Sequence, residues 1–451
     1  MKTETPWRLL LIWLLLLPIA VLFLLPGGGL FFTGVLWYWI VLLISIGVIW
    51  ALLGGPRTSQ ATTGSGESLT GEDDQSLRML TEAELPLPVQ EVMTVRMATE
   101  EEGVQVFRGR LRQSAALAFE RLKAAFAPRR LPLLQEDEKL GAAIFLIPKP
   151  VEEERLEKPV RVWVNWLLFG LTIITTTWAG AAHQGVNLIQ QPGRFTVGLP
   201  YSLGLLAILG IHELGHYFMA RHHAINVTPP YFIPLPFALG TFGAFIQMRS
   251  PPESRKALFD VAIAGPLAGL VLAIPALLIG LRSSTILPAD FGNSHPFFTG
   301  TSVGSSILLA LLAKLSLGDA LQFGHIVRLS PLAFAGWLGV FITGLNLLPI
   351  GTLDGGHVAR AMFGTRRGGT ISTVAVWSLF LLALFVWPGL MIWALIAFFL
   401  AGTGTPPLND LVPVSPQRRT LGYLTFLILG LILIPLPHPL WAAAGIHCPY
   451  L

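Results

Sequence analysis

The charge of this chain is concentrated in one stretch. Residues 54–161 hold 15 of its 30 Lys and Arg and 18 of its 26 Asp and Glu, while the rest of the 451 residues is mostly apolar runs joined by loops. With 53% hydrophobic and 12% charged residues, against roughly 25% charged in an average soluble domain, a water-soluble fold is excluded. The composition reads as an all-α polytopic membrane protein with one polar insert. A net charge of +4 needs no nucleic-acid partner, because basic loops follow from the positive-inside bias of multi-span proteins.

Residues 8–25 and 30–53 are apolar runs separated by Pro26-Gly27-Gly28-Gly29, which predicts an N-terminal transmembrane hairpin over 1–53. The first run is longer than a signal-peptide core and leads straight into another span, and no Arg/Ser-rich transit segment is visible. A polar linker is expected over 54–87 and a small soluble α+β module over 88–150, with strands at Val104–Leu111 and Ala142–Pro148 and a helix at Ser114–Phe126. Further spans are expected at about 162–182, 199–221, 257–281, 330–350, 370–387, 389–401 and 420–436. The segment 304–318 rises only about 22 Å as a helix, short of the roughly 30 Å hydrocarbon core, and carries Lys314, so it is not expected to cross. With the insert in the cytoplasm, this count puts Arg221, Arg249, Arg255, Lys256, Arg360, Arg366, Arg367, Arg418 and Arg419 on the cytoplasmic side. A membrane core is thus expected over 160–415, and a last span with its tail over 416–451.

The sole cysteine, Cys448, excludes cysteine-based metal sites and intrachain disulfides, so a metal would need His and carboxylate ligands. Within the apolar run 199–221 stands His212-Glu213-Leu214-Gly215-His216, an H-E-x-x-H pattern. Two histidines four residues apart share one helical face, where both can reach one Zn²⁺ and the glutamate can reach its water. Ionisable groups at membrane depth are costly, which favours metal binding over a pair of incidental histidines. A catalytic zinc usually has three protein ligands, and Asp354, in Asn346-Leu347-Leu348-Pro349-Ile350-Gly351-Thr352-Leu353-Asp354-Gly355-Gly356-His357, is the candidate third ligand. Taken alone, that stretch would be an Asp-Gly turn or a helix cap.

Other polar residues have structural readings. Asp260 is expected to cap its span or to pair with Arg255 or Lys256. His222 and His223 suit an interfacial basic patch, Glu253 a loop charge, and His357 an interfacial histidine or a group behind the metal ligands. Gly265-Pro266-Leu267-Ala268-Gly269 places small residues at i and i+4, a mark of close helix packing. Residues 225–249 carry Pro229, Pro230, Pro234, Pro236, Gly240 and Gly243, too many breakers for a helix. A re-entrant, partly β segment bordering the site is expected, with Gly243–Met248 offering a strand edge to an unwound substrate.

These motifs together resemble the site-2 protease family of intramembrane zinc metalloproteases, which pairs H-E-x-x-H with a distant L-D-G. The similarity covers about 88–415 and is greatest to the plastid and cyanobacterial branch with a soluble N-terminal module, on Gly240-Thr241-Phe242-Gly243-Ala244-Phe245 and on Asn346 through His357. That branch often has Gly-Asn-Leu-Arg where this chain has Gly109-Arg110-Leu111-Arg112. The stretch 282–329 is too short for the PDZ domain of many family members. The resemblance implies His212, His216 and Asp354 as zinc ligands, Glu213 as the catalytic glutamate and Asn346 as a substrate or oxyanion contact.

The function expected is regulated intramembrane proteolysis of transmembrane substrates in a lipid bilayer, here a bacterial plasma membrane with module and active site toward the cytoplasm. The oligomeric state is left open. A metal-ion transporter using the same His/Asp cluster is the competing reading, although each motif occurs once and no internal repeat is seen. An inactive adaptor is the third.

Overall fold

In a computed structural model, residues 77–81, 84–101, 103–126, 129–148, 161–236, 238–288, 306–320, 325–385, 390–400 and 406–434 are described. The expected hairpin over 1–53, the linker up to residue 76 and the tail beyond 434 lie outside them.

The polar insert folds as a five-stranded antiparallel sheet with two helices. Its elements are β1 (Leu77–Met79), α1 (Leu87–Val92), β2 (Met93–Glu101), β3 (Val104–Leu111), α2 (Ala115–Phe126), β4 (Arg130–Asp137) and β5 (Gly141–Pro148), with strand order β1-β2-β3-β5-β4. Strand β1 lies in residues expected to be linker, so the sheet starts earlier than composition suggested. Two further strands, β2 and β4, were not expected. The apolar stripe of α2, Ala118, Phe119 and Leu122, packs with Val92, Phe107, Leu134, Ile144 and Leu146 in a core of fully or nearly fully buried side chains.

The apolar part contains α3 (Val162–His183), α4 (Leu199–His222), β6 (Tyr231–Pro234), β7 (Thr241–Phe245), α5 (Arg255–Arg282), β8 (Thr285–Pro288), α6 (Ile307–Leu317), β9 (His325–Arg328), α7 (Pro331–Asn346), α8 (Asp354–Phe363), α9 (Thr365–Phe385), α10 (Leu390–Leu400) and α11 (Pro416–Leu433). Among the described residues, α3, α4, α5 and α9 are long and apolar enough to cross a membrane. The expected span 330–350 is shorter than its apolar run: α7 stops at Asn346 after 16 residues, and a turn leads into the separate helix α8. Within the expected crossing at 389–401 the described residues form the 11-residue helix α10, and α6 has 11 residues, about 16 Å at 1.5 Å each. The apolar part also holds two antiparallel ribbons: β6–β7, within the segment expected to be re-entrant and partly β, and β8–β9, which was not expected.

Helix α5 is the centre of the bundle. Ser254 caps it, its hydroxyl accepting from the Ala257 amide at 3.2 Å. Leu270, Ala273 and Leu277 of α5 pack with Ile208 of α4 and with Ala333 and Val340 of α7. A methyl group at Gly336 would meet the backbone of Leu277, so the α5–α7 approach depends on small residues. Ser330 caps α7 and donates to the Gly280 carbonyl of α5 at 2.7 Å, fixing that crossing.

The insert is joined to this bundle through residues 408–410. The Leu134 amide of β4 donates to the Leu408 carbonyl at 2.7 Å, and the Asp410 amide returns to the Leu134 carbonyl at 2.9 Å. On its other side, Leu408 donates to Pro252 and Asn409 to Glu253, both at 3.0 Å. Asp410 is buried, pairs with Arg255 Nε at 2.8 Å and accepts the Thr365 amide at the start of α9 at 3.0 Å. Lys123–Glu253 and Arg366–Glu138 add ion pairs at the same junction, so Glu253 is paired rather than a plain loop charge.

Candidate metal centre

Helix α4 supplies two of the centre's imidazoles. His212 and His216 are one turn apart with ring centroids at 4.9 Å, and both are buried. Asp354, the first residue of α8, completes the group. His212 Nε2 to His216 Nε2 is 3.2 Å, His212 Nε2 to Asp354 Oδ2 is 3.4 Å, and His216 Nε2 to Asp354 Oδ2 is 3.2 Å. Ligand atoms at about 2.0–2.1 Å from one tetrahedral ion stand about 3.3 Å apart, so this triangle of two nitrogens and one carboxylate oxygen fits Zn²⁺ with one position left open. Among the described residues it is the one such His/Cys/Asp/Glu cluster.

Backbone groups orient these side chains. His216 Nδ1 bonds to the Val261 carbonyl of α5 at 2.8 Å, which turns Nε2 toward the triangle. Gly265 and Gly269, one turn apart on α5, lie against the rings of His216 and His212, and a methyl group at Gly215 would meet the Ala264 carbonyl. The small residues expected to serve helix packing therefore also make room for the imidazoles. Asp354 is held by the loop before it: the Gly351 amide donates to Ser372 Oγ at 2.8 Å and its carbonyl accepts from Arg360 Nη2 at 2.6 Å. Neither Arg360 nor Ser372 was singled out from the sequence as a support. A charged residue six positions beyond Asp354, in a segment needing burial, was the available signal.

The triangle opens into a cleft of about 240 Å³. Glu213 lines it and is buried, and Ile246, just past β7, lines the same cleft. Asn346, the last residue of α7, places Nδ2 3.4 Å from His212 Nε2. All five residues singled out as candidates, His212, Glu213, His216, Asn346 and Asp354, thus line one cleft.

The segment 225–249 borders this cleft through Ile225, Phe245, Ile246 and Met248. Its antiparallel ribbon pairs Tyr231 with Phe245 and Phe232 with Ala244. Three side chains tie the ribbon to the long helices. Asn165 donates to the Pro229 and Pro230 carbonyls at 3.0 and 2.8 Å, Thr175 to Gly240 at 2.6 Å, and Tyr201 to Leu239 at 2.9 Å. Gly240 has φ +78° and packs on the Thr176 backbone, a place without room for a side chain.

The remaining polar residues are placed as follows. Asp260 neither caps α5 nor pairs with Arg255 or Lys256. It receives a bidentate contact from Arg418 at 2.7 and 2.9 Å and one from His223 at 3.0 Å, because Ser254 takes the cap and Arg255 is held by Asp410. His223 is therefore a hydrogen-bond partner of Asp260 and not a free patch residue. His357 lines the cleft, one turn past Asp354.

Residues 200–387 match the family described as Peptidase family M50. The chain is 30% identical over 353 residues to the Arabidopsis thaliana protein named "Probable zinc metalloprotease EGY2, chloroplastic", covering 74% of this chain and 61% of that one. It is 34% identical over 337 residues to Arabidopsis "Probable zinc metalloprotease EGY1, chloroplastic", covering 69% and 60%. Over 253 residues it is 32% identical to Arabidopsis "Probable zinc metallopeptidase EGY3, chloroplastic", covering 52% and 43%. The chain spans about three-fifths of the length of the first two relatives. The M50 match begins at the second residue of α4 and takes in the whole donor triangle.

Proposed function

We propose that this chain is an intramembrane zinc metalloendopeptidase that hydrolyses peptide bonds within or next to transmembrane segments of membrane-protein substrates. The observation that carries the reading is the closed His212–His216–Asp354 triangle with the Glu213 carboxylate on the same cleft, built into a membrane-type helix. His212, His216 and Asp354 would hold the zinc. When bound, it supplies a Lewis acid that lowers the pKa of water and polarises the scissile carbonyl.

The chain's own groups do the rest. Glu213 takes the proton of the attacking water and afterwards delivers it to the leaving amine. Asn346 Nδ2 donates to the substrate carbonyl oxygen as negative charge develops there. A peptide bond inside a helix is shielded, so the substrate unwinds; β7, paired with β6 on one side, offers its other edge for an extended stretch.

The Glu213→Gln variant tests the reading, since it retains the metal ligands and removes the base. We expect it to keep zinc at the wild-type ratio and to lose cleavage of a single-span transmembrane peptide in liposomes. Cleavage at the wild-type rate would overturn the assignment. Zinc flux into sealed liposomes without peptidase activity would favour a transporter instead.

We assign the cleft and the polar module to the same membrane side on their shared junction at residues 408–410 and on the basic loops around it. The charge bias supports a cytoplasmic side. The chloroplastic names belong to relatives. The module over 88–150 and the membrane core over 160–415 are proposed as separate sequence units joined at that contact.

A further inference from the structure

His357 has a place on the cleft that the proposed chemistry does not use. It follows Asp354 by three residues on α8, so the two side chains share a face, and both line the cleft. Its Nδ1 lies 3.0 Å from the Leu353 carbonyl, which also accepts the His357 amide at 3.0 Å. A carbonyl only accepts, so Nδ1 carries the proton and Nε2 of the neutral ring is an acceptor. Among the described residues no partner meets that Nε2, and it is not one of the buried, unsatisfied atoms, so it opens to the cleft.

An extended substrate brings backbone N–H groups into this space, and a buried N–H left without an acceptor is costly. The other strong acceptors on this wall are engaged: the triangle by the metal and Glu213 by water. We propose that His357 is a substrate-binding residue whose Nε2 accepts a backbone N–H of the unwound substrate beside the scissile bond. The assignment rests on the proteolytic reading above and extends it. Its fixed tautomer makes the ring a register pin: it selects which residue of the unwound stretch faces the metal.

The test uses full-length, zinc-loaded protein in liposomes and a synthetic single-span transmembrane peptide. The amides flanking the scissile bond, but not the scissile amide itself, are replaced one at a time by esters, which lack the N–H. In the wild type one ester is expected to raise KM about 3- to 10-fold with kcat within about twofold, the worth of one hydrogen bond. His357→Leu is expected to raise KM for the all-amide peptide by about the same factor, and to lose nothing more with that ester. His357→Gln, which keeps an acceptor, restores part of the loss. Zinc content beside each rate shows whether the ligands are intact; if His357→Leu loses zinc, the wild-type ester series and His357→Gln decide. Equal KM for His357→Leu and wild type at equal zinc content, or esters that act alike in both, would overturn the assignment while leaving proteolysis standing. No cleavage by the zinc-loaded wild type would sink both.

Discussion

Gly265 of α5 lies against the imidazole of His216 so closely that a methyl group at position 265 would occupy the ring. The neighbouring Val261 carbonyl, one turn earlier, is what holds that ring. Gly265→Ala is therefore expected to displace His216 and to weaken zinc binding about 10- to 100-fold, the range seen when groups behind a metal ligand are disturbed. Zinc titration against a competing chelator checks it, and unchanged affinity would show that the helices simply separate.

Removing either kind of ligand from the triangle should empty it. Asp354→Ala and His212→Ala are each expected to lower zinc from about one per chain toward zero, because two remaining ligands seldom retain the metal. Metal analysis of purified protein reads this directly. If Asp354→Ala kept full zinc, the carboxylate's place 3.2 Å from His216 would be incidental.

Asn165 should affect cleavage and leave the metal alone. Asn165→Leu removes both donors from the Pro229 and Pro230 carbonyls, leaving two part-buried acceptors unpaired at about 1 kcal/mol each. The ribbon that borders the cleft would then be loosened. We expect kcat/KM to drop roughly tenfold, about 1.4 kcal/mol in the transition state, with zinc stoichiometry unchanged. Loss of zinc would mean that the ribbon supports the metal centre itself.

Asp410 is expected to matter for stability. Asp410→Ala leaves Arg255 buried without its partner and frees the α9 amide of Thr365, at a cost of about 3–5 kcal/mol. Thermal unfolding in detergent should show a lowered midpoint. The double variant Asp410→Leu, Arg255→Met should recover much of it, since an apolar pair has no charge to desolvate. Equal midpoints for Asp410→Ala and wild type would place the junction's strength elsewhere.

The metal group was legible because its chemistry is encoded in spacing: His212 and His216 at i and i+4 can only share a face, and hydrocarbon surroundings excluded a surface pair. Asp354 was found by asking what zinc still lacked. What the spacing did not hold were the supports, because Val261 acts through a backbone carbonyl that any side chain would offer. Apolar periodicity likewise located 330–350 but not its break at Asn346, since Leu347, Leu348 and Ile350 are as apolar in a turn as in a helix. Asp260 was assigned to its sequence neighbours, whereas its partners come from α11 and the end of α4, contacts that no local pattern carries. Strands β2 and β4 were missed because mixed charge along each hides the inward alternation.

Leu408, Asn409 and Asp410 lie between the edge of the polar sheet and the residues that lead into α5. The sheet's outermost partner is thus donated from far along the polypeptide, after every element of the metal centre has been made. A graft that exchanged only the stretch before α3 for that of a relative would leave the newcomer's border strand facing a foreign sequence, so transplantable units in this architecture have to be cut in two pieces.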